Sequence, residues 1–290
     1  MRVAIIGGTG KMGRWFANFL LKDGKEVILT GRNEEKLLEA KQQLGVEVTT
    51  SLSTAVKSAD VVLISVPIDN FEEVVKQLQP HLHPEQIVID ITSIKVSPVE
   101  TMHKYIKTGV VLGTHPVFGP GARDVLNQNF VLTPTNEKET ALAQKIKQYL
   151  EARGARVSLM TPHEHDEMMA VILGLSHFIA IVSADTLMNF DKLRQMKAIG
   201  GSTYKLLHTL TESVISEDPE LYASLQVNLP KITEIHELFQ RNSKTWGDIV
   251  KNKDKQEFVK RMSALKDRME KSDPDFGMAY ENMYKFLEKL

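Results

Sequence analysis

Two stretches of this chain carry residues whose type and spacing can do chemistry. The first is Gly7-Gly8-Thr9-Gly10-Lys11-Met12-Gly13, in which Gly8, Gly10 and Gly13 meet the G-x-G-x-x-G spacing. That spacing suits a dinucleotide: Gly8 permits a tight turn, Gly10 lets backbone approach a pyrophosphate, and Gly13 lets a following helix pack closely on the preceding strand. N–H groups at the helix start, from Thr9 through Lys11 and Met12, then receive the phosphates at the positive end of the helix dipole. The second stretch is discontinuous. Polar residues gather where apolar runs end, in Asp90-Ile91-Thr92-Ser93-Ile94-Lys95 and in Gly113-Thr114-His115-Pro116-Val117-Phe118-Gly119-Pro120-Gly121, while Val66-Pro67 ends a third run, where it is expected to flank a nicotinamide. Ligands of doubly wound sheets sit outside the carboxyl ends of the strands, so these exits are where a site is expected. Pro116 biases His115 toward extended geometry, and the glycines and prolines beyond it predict a defined loop.

The elements that must position these residues can be read from periodicity. Short β-branched runs at 3–6, 26–30, 61–66, 87–91, 110–113 and 130–132 read as strands, and helical stretches separate most of them. Near-continuous apolar strands joined by helices predict a doubly wound, mostly parallel Rossmann-type α/β sheet covered on both faces. Ser97-Pro98-Val99-Glu100 and Thr161-Pro162-His163-Glu164 each offer a hydroxyl N-cap, Pro at the first helical position and Glu at the third. Beyond Thr161 the strand signal fades, so the domains are expected at 1–161 and 162–290, the second all helical. The run 168–188 nears membrane-spanning length, but His177 and Asp185 interrupt it, which predicts a buried helix instead.

Composition bounds the rest. The 290 residues carry 36 Lys+Arg against 37 Asp+Glu, so no overall field recruits nucleic acid or a membrane surface. No cysteine is present, which excludes disulfides, thiolate nucleophiles and cysteine metal sites and fits a cytoplasmic protein. His163, His165 and Asp166 look metal-like, but two histidines two apart face different sides of a helix, so no metal is expected. After the second strand comes Thr30-Gly31-Arg32-Asn33. A carboxylate there would select NAD by holding the ribose 2′-hydroxyl; its absence, with a guanidinium suited to phosphate, predicts NADP, with NAD as the alternative if Arg32 only covers the adenine.

Taken together, Gly-Gly-Thr-Gly at 7–10, Asp90-Ile91-Thr92-Ser93-Ile94-Lys95, Thr114-His115-Pro116-Val117-Phe118-Gly119-Pro120, His165-Asp166 and Leu175-Ser176-His177 with Ala180 make a chain that resembles the prephenate/arogenate dehydrogenase family over nearly its whole length. The resemblance implies oxidative decarboxylation of prephenate or arogenate in tyrosine synthesis. It makes His115 the base that takes the ring hydroxyl proton, Ser93 the residue orienting that histidine and the hydroxyl, and His177 a lining of the nicotinamide and substrate pocket. A histidine of ordinary pKa, about 6.5, suits the base role near neutrality. The resemblance also implies a homodimer formed through the helical domain.

One expected residue is missing. The helix over 204–221 resembles a family helix carrying an arginine for the substrate's ring carboxylate, aligned by Asp218-Pro219-Glu220-Leu221-Tyr222-Ala223, yet Ser213 stands at that position after Glu212. Losing a charge-assisted hydrogen bond costs about 1.5–3 kcal/mol unless another cation compensates. Lys95, Arg123, Lys197 and Lys205 are the candidates. The gap opens two alternatives, an NADP-binding sensor or regulator with weakened catalysis, and another NADP-dependent reductase of the same superfamily.

Overall fold

A computed structural model describes residues 1–288. By internal contacts the chain divides into two units, Met1–Met169 with Val227–Pro230, and Ala170–Gln226 with Lys231–Leu290. The division by contacts falls at Met169, inside the helix that follows Thr161.

The first unit is built on β1 (Arg2–Ile6), α1 (Lys11–Lys22), β2 (Glu26–Thr30), α2 (Glu34–Leu44), β3 (Glu47–Thr49), α3 (Leu52–Lys57), β4 (Val61–Ile64), α4 (Phe71–Leu78), β5 (Ile87–Asp90), α5 (Val96–Tyr105), β6 (Val110–Pro116), β7 (Asn129–Thr133), α6 (Glu137–Glu151), β8 (Arg156–Leu159) and α7 (Pro162–Met169). Its eight strands run in the order β3-β2-β1-β4-β5-β6-β7-β8. The pairs from β3 to β6 are parallel, β7 is antiparallel to β6, and β8 is parallel to β7. The order reverses between β1 and β4, and such a switch point opens a crevice at the strand ends.

Alternate residues of each strand feed two separate cores, which is why the strands read as continuous apolar runs. Val3, Ile5, Val27, Leu29, Val61 and Leu63 face Phe16, Ala17, Leu37 and Leu150 on one side. Ala4, Ile6, Ile28, Val62 and Ile64 face Val56, Phe71, Leu78 and Met102 on the other. Each fully buried large side chain contributes roughly 1.5–3 kcal/mol.

Several expectations shift. Strands β3 and β8 were not expected; both are short edge elements with little apolar periodicity. Strand β4 stops at Ile64, two residues early, whereas β6 continues to Pro116, so His115 lies in the strand, opposite Val131, instead of in a loop. The box at Ser97 does not cap: α5 starts two residues earlier than the box predicts, with Lys95 and not Ser97 at the N-cap, and its first N–H groups are capped by Asp166, 71 residues away from Lys95. The box at Thr161 does form, with Thr161 N donating to Glu164 Oε2 at 2.9 Å and Glu164 N donating to Thr161 Oγ1 at 3.2 Å.

The second unit is helical throughout its described residues. A π-turn at Ala170–Leu175 precedes α8 (Ser176–Leu187), α9 (Leu193–Ile199), α10 (Ser202–Ile215), α11 (Pro219–Asn228), α12 (Ile232–Lys251), α13 (Lys255–Ser272) and α14 (Ala279–Leu287). A π-turn loosens the ladder of carbonyl bonds; here Gln226 Nε2 donates to Gly174 O at 2.9 Å. The apolar stretch around 168–188 falls in a helix, Pro162–Leu187, that is long and apolar enough by length and composition to cross a membrane. The expectation of a buried helix is corrected: Val171 and Ile172 are each 49% exposed and Val182 is 39% exposed in the single chain.

Candidate active site

The glycine turn is built from backbone. Gly7 takes φ +77°, where an added Cβ would lie 2.2 Å from Ser65 O, so the left-handed turn sits at Gly7 and not at Gly8. Gly7 N and Gly8 N both donate to Thr30 O, at 3.0 and 3.1 Å, which ties the turn to the end of β2. A Cβ on Gly13 would meet Gly7 O at 2.7 Å and Gly8 Cα at 2.8 Å, so only glycine lets α1 start this close to β1. Gly10, which precedes α1 in extended conformation, differs: nothing but Gly7 O, at 3.4 Å, lies near its missing side chain. Open backbone at the head of a helix fits a pyrophosphate. Thr9 lies against Gly31, Lys11 is exposed, and Met12 packs its side chain on the apolar core, leaving its backbone for any phosphate contact. Val66 Cγ1 would be 2.9 Å from a Cβ on Gly7, which places the end of β4 beside the turn, with Pro67 exposed next to it. At the end of β2, Arg32 is exposed and Asn33 caps α2 by accepting from Lys36 N at 2.9 Å.

The ends of β5 and β6 are built from buried side chains. Lys95 is fully buried, with Nζ bonded to Asp90 Oδ1 and, at 2.6 Å, to Thr114 O. Asp90 Oδ1 also accepts from Thr92 N at 2.9 Å, and Thr114 Oγ1 donates to Asp90 O at 2.7 Å. Burial pushes the Lys95 ammonium below its usual range, opposed by the charge of Asp90. Lys95 as a substrate contact is therefore corrected: its ammonium is sealed inside the unit, where it clamps β5 to β6.

His115 is 4% exposed. Its Nδ1 lies 2.8 Å from His165 Nε2, and His165 Nδ1 lies 2.7 Å from Asp166 Oδ1. Asp166 in turn accepts from Lys95 N at 2.7 Å and from Val96 N at 2.9 Å. Burial first, then the neighbouring His165 and Lys95, hold the His115 imidazole well below the usual histidine range, so it rests neutral. No described residue hydrogen-bonds His115 Nε2. The ring is oriented by His165 and not, as expected, by Ser93, which is half-buried in the turn between β5 and α5 with no hydrogen bond to another described residue. The loop after β6 is fixed on α1: Trp15 Nε1 donates to Ala122 O at 2.6 Å and Trp15 packs edge-on against Phe118, with centroids 4.9 Å apart. Arg123, on that loop, is exposed.

The remaining candidates lie in the helical unit. His177, on α8, packs edge-on against Tyr222 of α11 at 4.7 Å, and burial lowers its pKa. Ser213, on α10, donates its hydroxyl to Leu210 O at 2.8 Å and brings no charge, so as a substrate contact it does not replace the missing arginine. Lys197 and Lys205 line a cavity of about 640 Å³ with His208 and Tyr284, but Lys197 Nζ is 3.2 Å from Glu212, which neutralises it. Sequence reasoning missed His165 as a partner of His115. Its signal was the adjacent carboxylate, since His followed by Asp on a helix start offers a ready acceptor for one ring N–H.

The parallel sheet with its switch point and the glycine turn after β1 define a Rossmann-type domain, followed by a helical unit. Residues 16–159 match the family model of the prephenate dehydrogenase nucleotide-binding domain, and 161–264 match that of the prephenate dehydrogenase dimerization domain. The chain belongs to the prephenate dehydrogenase family. The first match starts beyond the glycine turn, so the turn's assignment rests on its geometry. A probable arogenate/prephenate dehydrogenase of Methanocaldococcus jannaschii is 39% identical over 266 residues, 90% of this chain and 59% of that protein. A T-protein of Haemophilus influenzae is 25% identical over 92% of this chain and 66% of its own length. The chain thus spans about three-fifths to two-thirds of these curated relatives. In fold it is similar to prephenate dehydrogenase from A. aeolicus, solved with hydroxyphenyl propionate and NAD+, at TM-score 0.76 and 23% identity over 94% of this chain and 98% of that one.

Proposed function

We propose that this chain oxidatively decarboxylates prephenate or arogenate with a nicotinamide dinucleotide as hydride acceptor. The observation that carries the reading is the His115 ring: neutral, fixed through Nδ1, and with Nε2 unclaimed at the end of β6. A dinucleotide held at the Gly7–Gly13 turn would supply the hydride acceptor for the carbon that bears the ring hydroxyl. His115 Nε2 accepts the hydroxyl proton, which lets the C–O bond become a carbonyl. The ring carboxylate then leaves as carbon dioxide, its bonding pair aromatises the ring, and His115 returns the proton to the phenolate oxygen. Ser93, whose hydroxyl is uncommitted in the adjoining turn, is proposed to bond the same substrate oxygen. His177 keeps the role that the family resemblance implies, as a neutral imidazole.

For the cofactor we favour NADP over NAD, because Arg32 is exposed at the end of β2 and no carboxylate follows that strand within 30–33. Arg123 and Lys205 are the exposed cations proposed to offset the missing arginine. A homodimer is proposed from the exposed apolar residues of the helical unit, Ile199 at 85% and Met188 at 71% among them, and from the second family model, which describes a dimerization domain. A monomeric mass by light scattering at micromolar concentration would reject it. A cytoplasmic setting accords with the absence of cysteine.

Purified protein assayed with both substrates against both nucleotides tests the reading. Reduced nicotinamide should accumulate with at least one pair, and His115→Asn should slow that accumulation by about 10²- to 10⁴-fold. No turnover with any pair would reject the reading in favour of a nucleotide-binding sensor or another reductase.

A further inference from the structure

We propose that His165 is a positioning residue, anchored by Asp166, that fixes the tautomer of His115 so that the lone pair stands on Nε2. The inference rests on His115 being the base proposed above, and it follows from counting donors along one buried chain. Both oxygens of Asp166 accept backbone N–H groups at the head of α5, Oδ1 from Lys95 and Oδ2 from Val96. With that carboxylate serving as acceptor, the 2.7 Å contact to His165 Nδ1 is satisfied only with the nitrogen donating. An imidazole whose one N–H is on Nδ1 offers Nε2 as an acceptor, and this is the form of His165 that the inference assigns. The 2.8 Å contact then requires His115 Nδ1 to donate. A neutral His115 whose proton is on Nδ1 has its free pair on Nε2, the nitrogen that must accept the substrate proton.

Geometry supports a fixed device. The two rings meet edge to face, with centroids 5.0 Å apart and planes at 76°. His165 is fully buried and Asp166 is 3% exposed, so water does not compete for either bond. The anchor is the cap of α5, and the segment it caps begins at Lys95, whose side chain clamps β5 to β6. The base, its aligner and the strand ends thus share one rigid set of bonds. When His115 takes up the proton, its Nδ1–H still has an acceptor in His165, which stabilises the imidazolium as it forms.

The test uses the full chain, 15N-labelled at histidine. NMR should show His115 protonated at Nδ1 and bare at Nε2 in the wild type. In His165→Leu, which removes the acceptor, it should show both tautomers. With the active substrate and nucleotide, kcat of His165→Leu should fall about 10- to 100-fold with little change in KM. His165→Gln, whose amide oxygen can accept from Nδ1, should recover most of that loss. An unchanged tautomer in His165→Leu, or equal kcat losses in the Leu and Gln variants, would overturn the proposal. Wild-type protein inactive with every substrate pair would instead overturn the function proposed above, while the NMR comparison still decides the alignment of His115.

Discussion

The two strand-end regions of the nucleotide-binding unit solve opposite problems. At β1 and β2 the turn is made of backbone and missing side chains: Gly7, Gly8 and Gly13 leave no room for a Cβ, and a single carbonyl, Thr30 O, gathers two N–H groups. At β5 and β6 the ends are packed with polar side chains, Asp90, Lys95, Thr114, His115 and His165, all fully or nearly fully buried. A ligand approaching the first region meets backbone amides that any sequence with the right glycines would supply. The second region must hold one imidazole in one orientation and one protonation state, which takes charge and hydrogen bonds from four segments of chain.

That contrast can be broken in order of expected effect. His115→Asn, which keeps a polar side chain but no base, should lower kcat by about 10²- to 10⁴-fold with nucleotide affinity unchanged, checked by steady-state kinetics and nucleotide titration. Lys95→Met should leave the Asp90 carboxylate buried without its cation and cost about 3–5 kcal/mol, read as a loss of denaturant stability. Gly7→Ala should cost at least about 1–2 kcal/mol from the left-handed backbone alone, with the 2.2 Å approach to Ser65 O adding to it, and should weaken nucleotide binding before it touches substrate chemistry. Arg32→Ala should raise KM for NADP about tenfold and leave KM for NAD nearly unchanged. The smallest effect is a shape. Because burial depresses the His115 pKa, kcat/KM should stay flat as pH falls through the ordinary histidine range near 6.5 and decline only below it; an acid limb at the ordinary value would contradict a buried base.

The comparison also separates what could be read early from what could not. The glycine turn, the parallel sheet and the helical second half follow from local pattern: glycine spacing, β-branched runs and 3.6-residue periodicity each act within a few residues of chain. His115 and Ser93 stood out as polar residues at strand exits. The role of Lys95 did not, because a lysine in a turn reads as solvated until its ammonium is found between Asp90 and Thr114 O. The exposure of Val171, Ile172 and Val182 was equally hidden, since apolar composition reports a need for cover and not who provides it.

By itself the sequence determined the alternation of strands and helices, the place of the dinucleotide turn and the candidacy of His115, because these depend on interactions between near neighbours in the chain. Only the tertiary structure decided that Asp166 caps α5, that His165 stands behind His115 and that Lys95 is sealed away. The first two join residues 50 to 71 positions apart and the Lys95 ammonium also reaches across to Thr114, 19 positions on, and no local rule ranks these contacts until the sheet brings the ends of β5 and β6 against the start of α7.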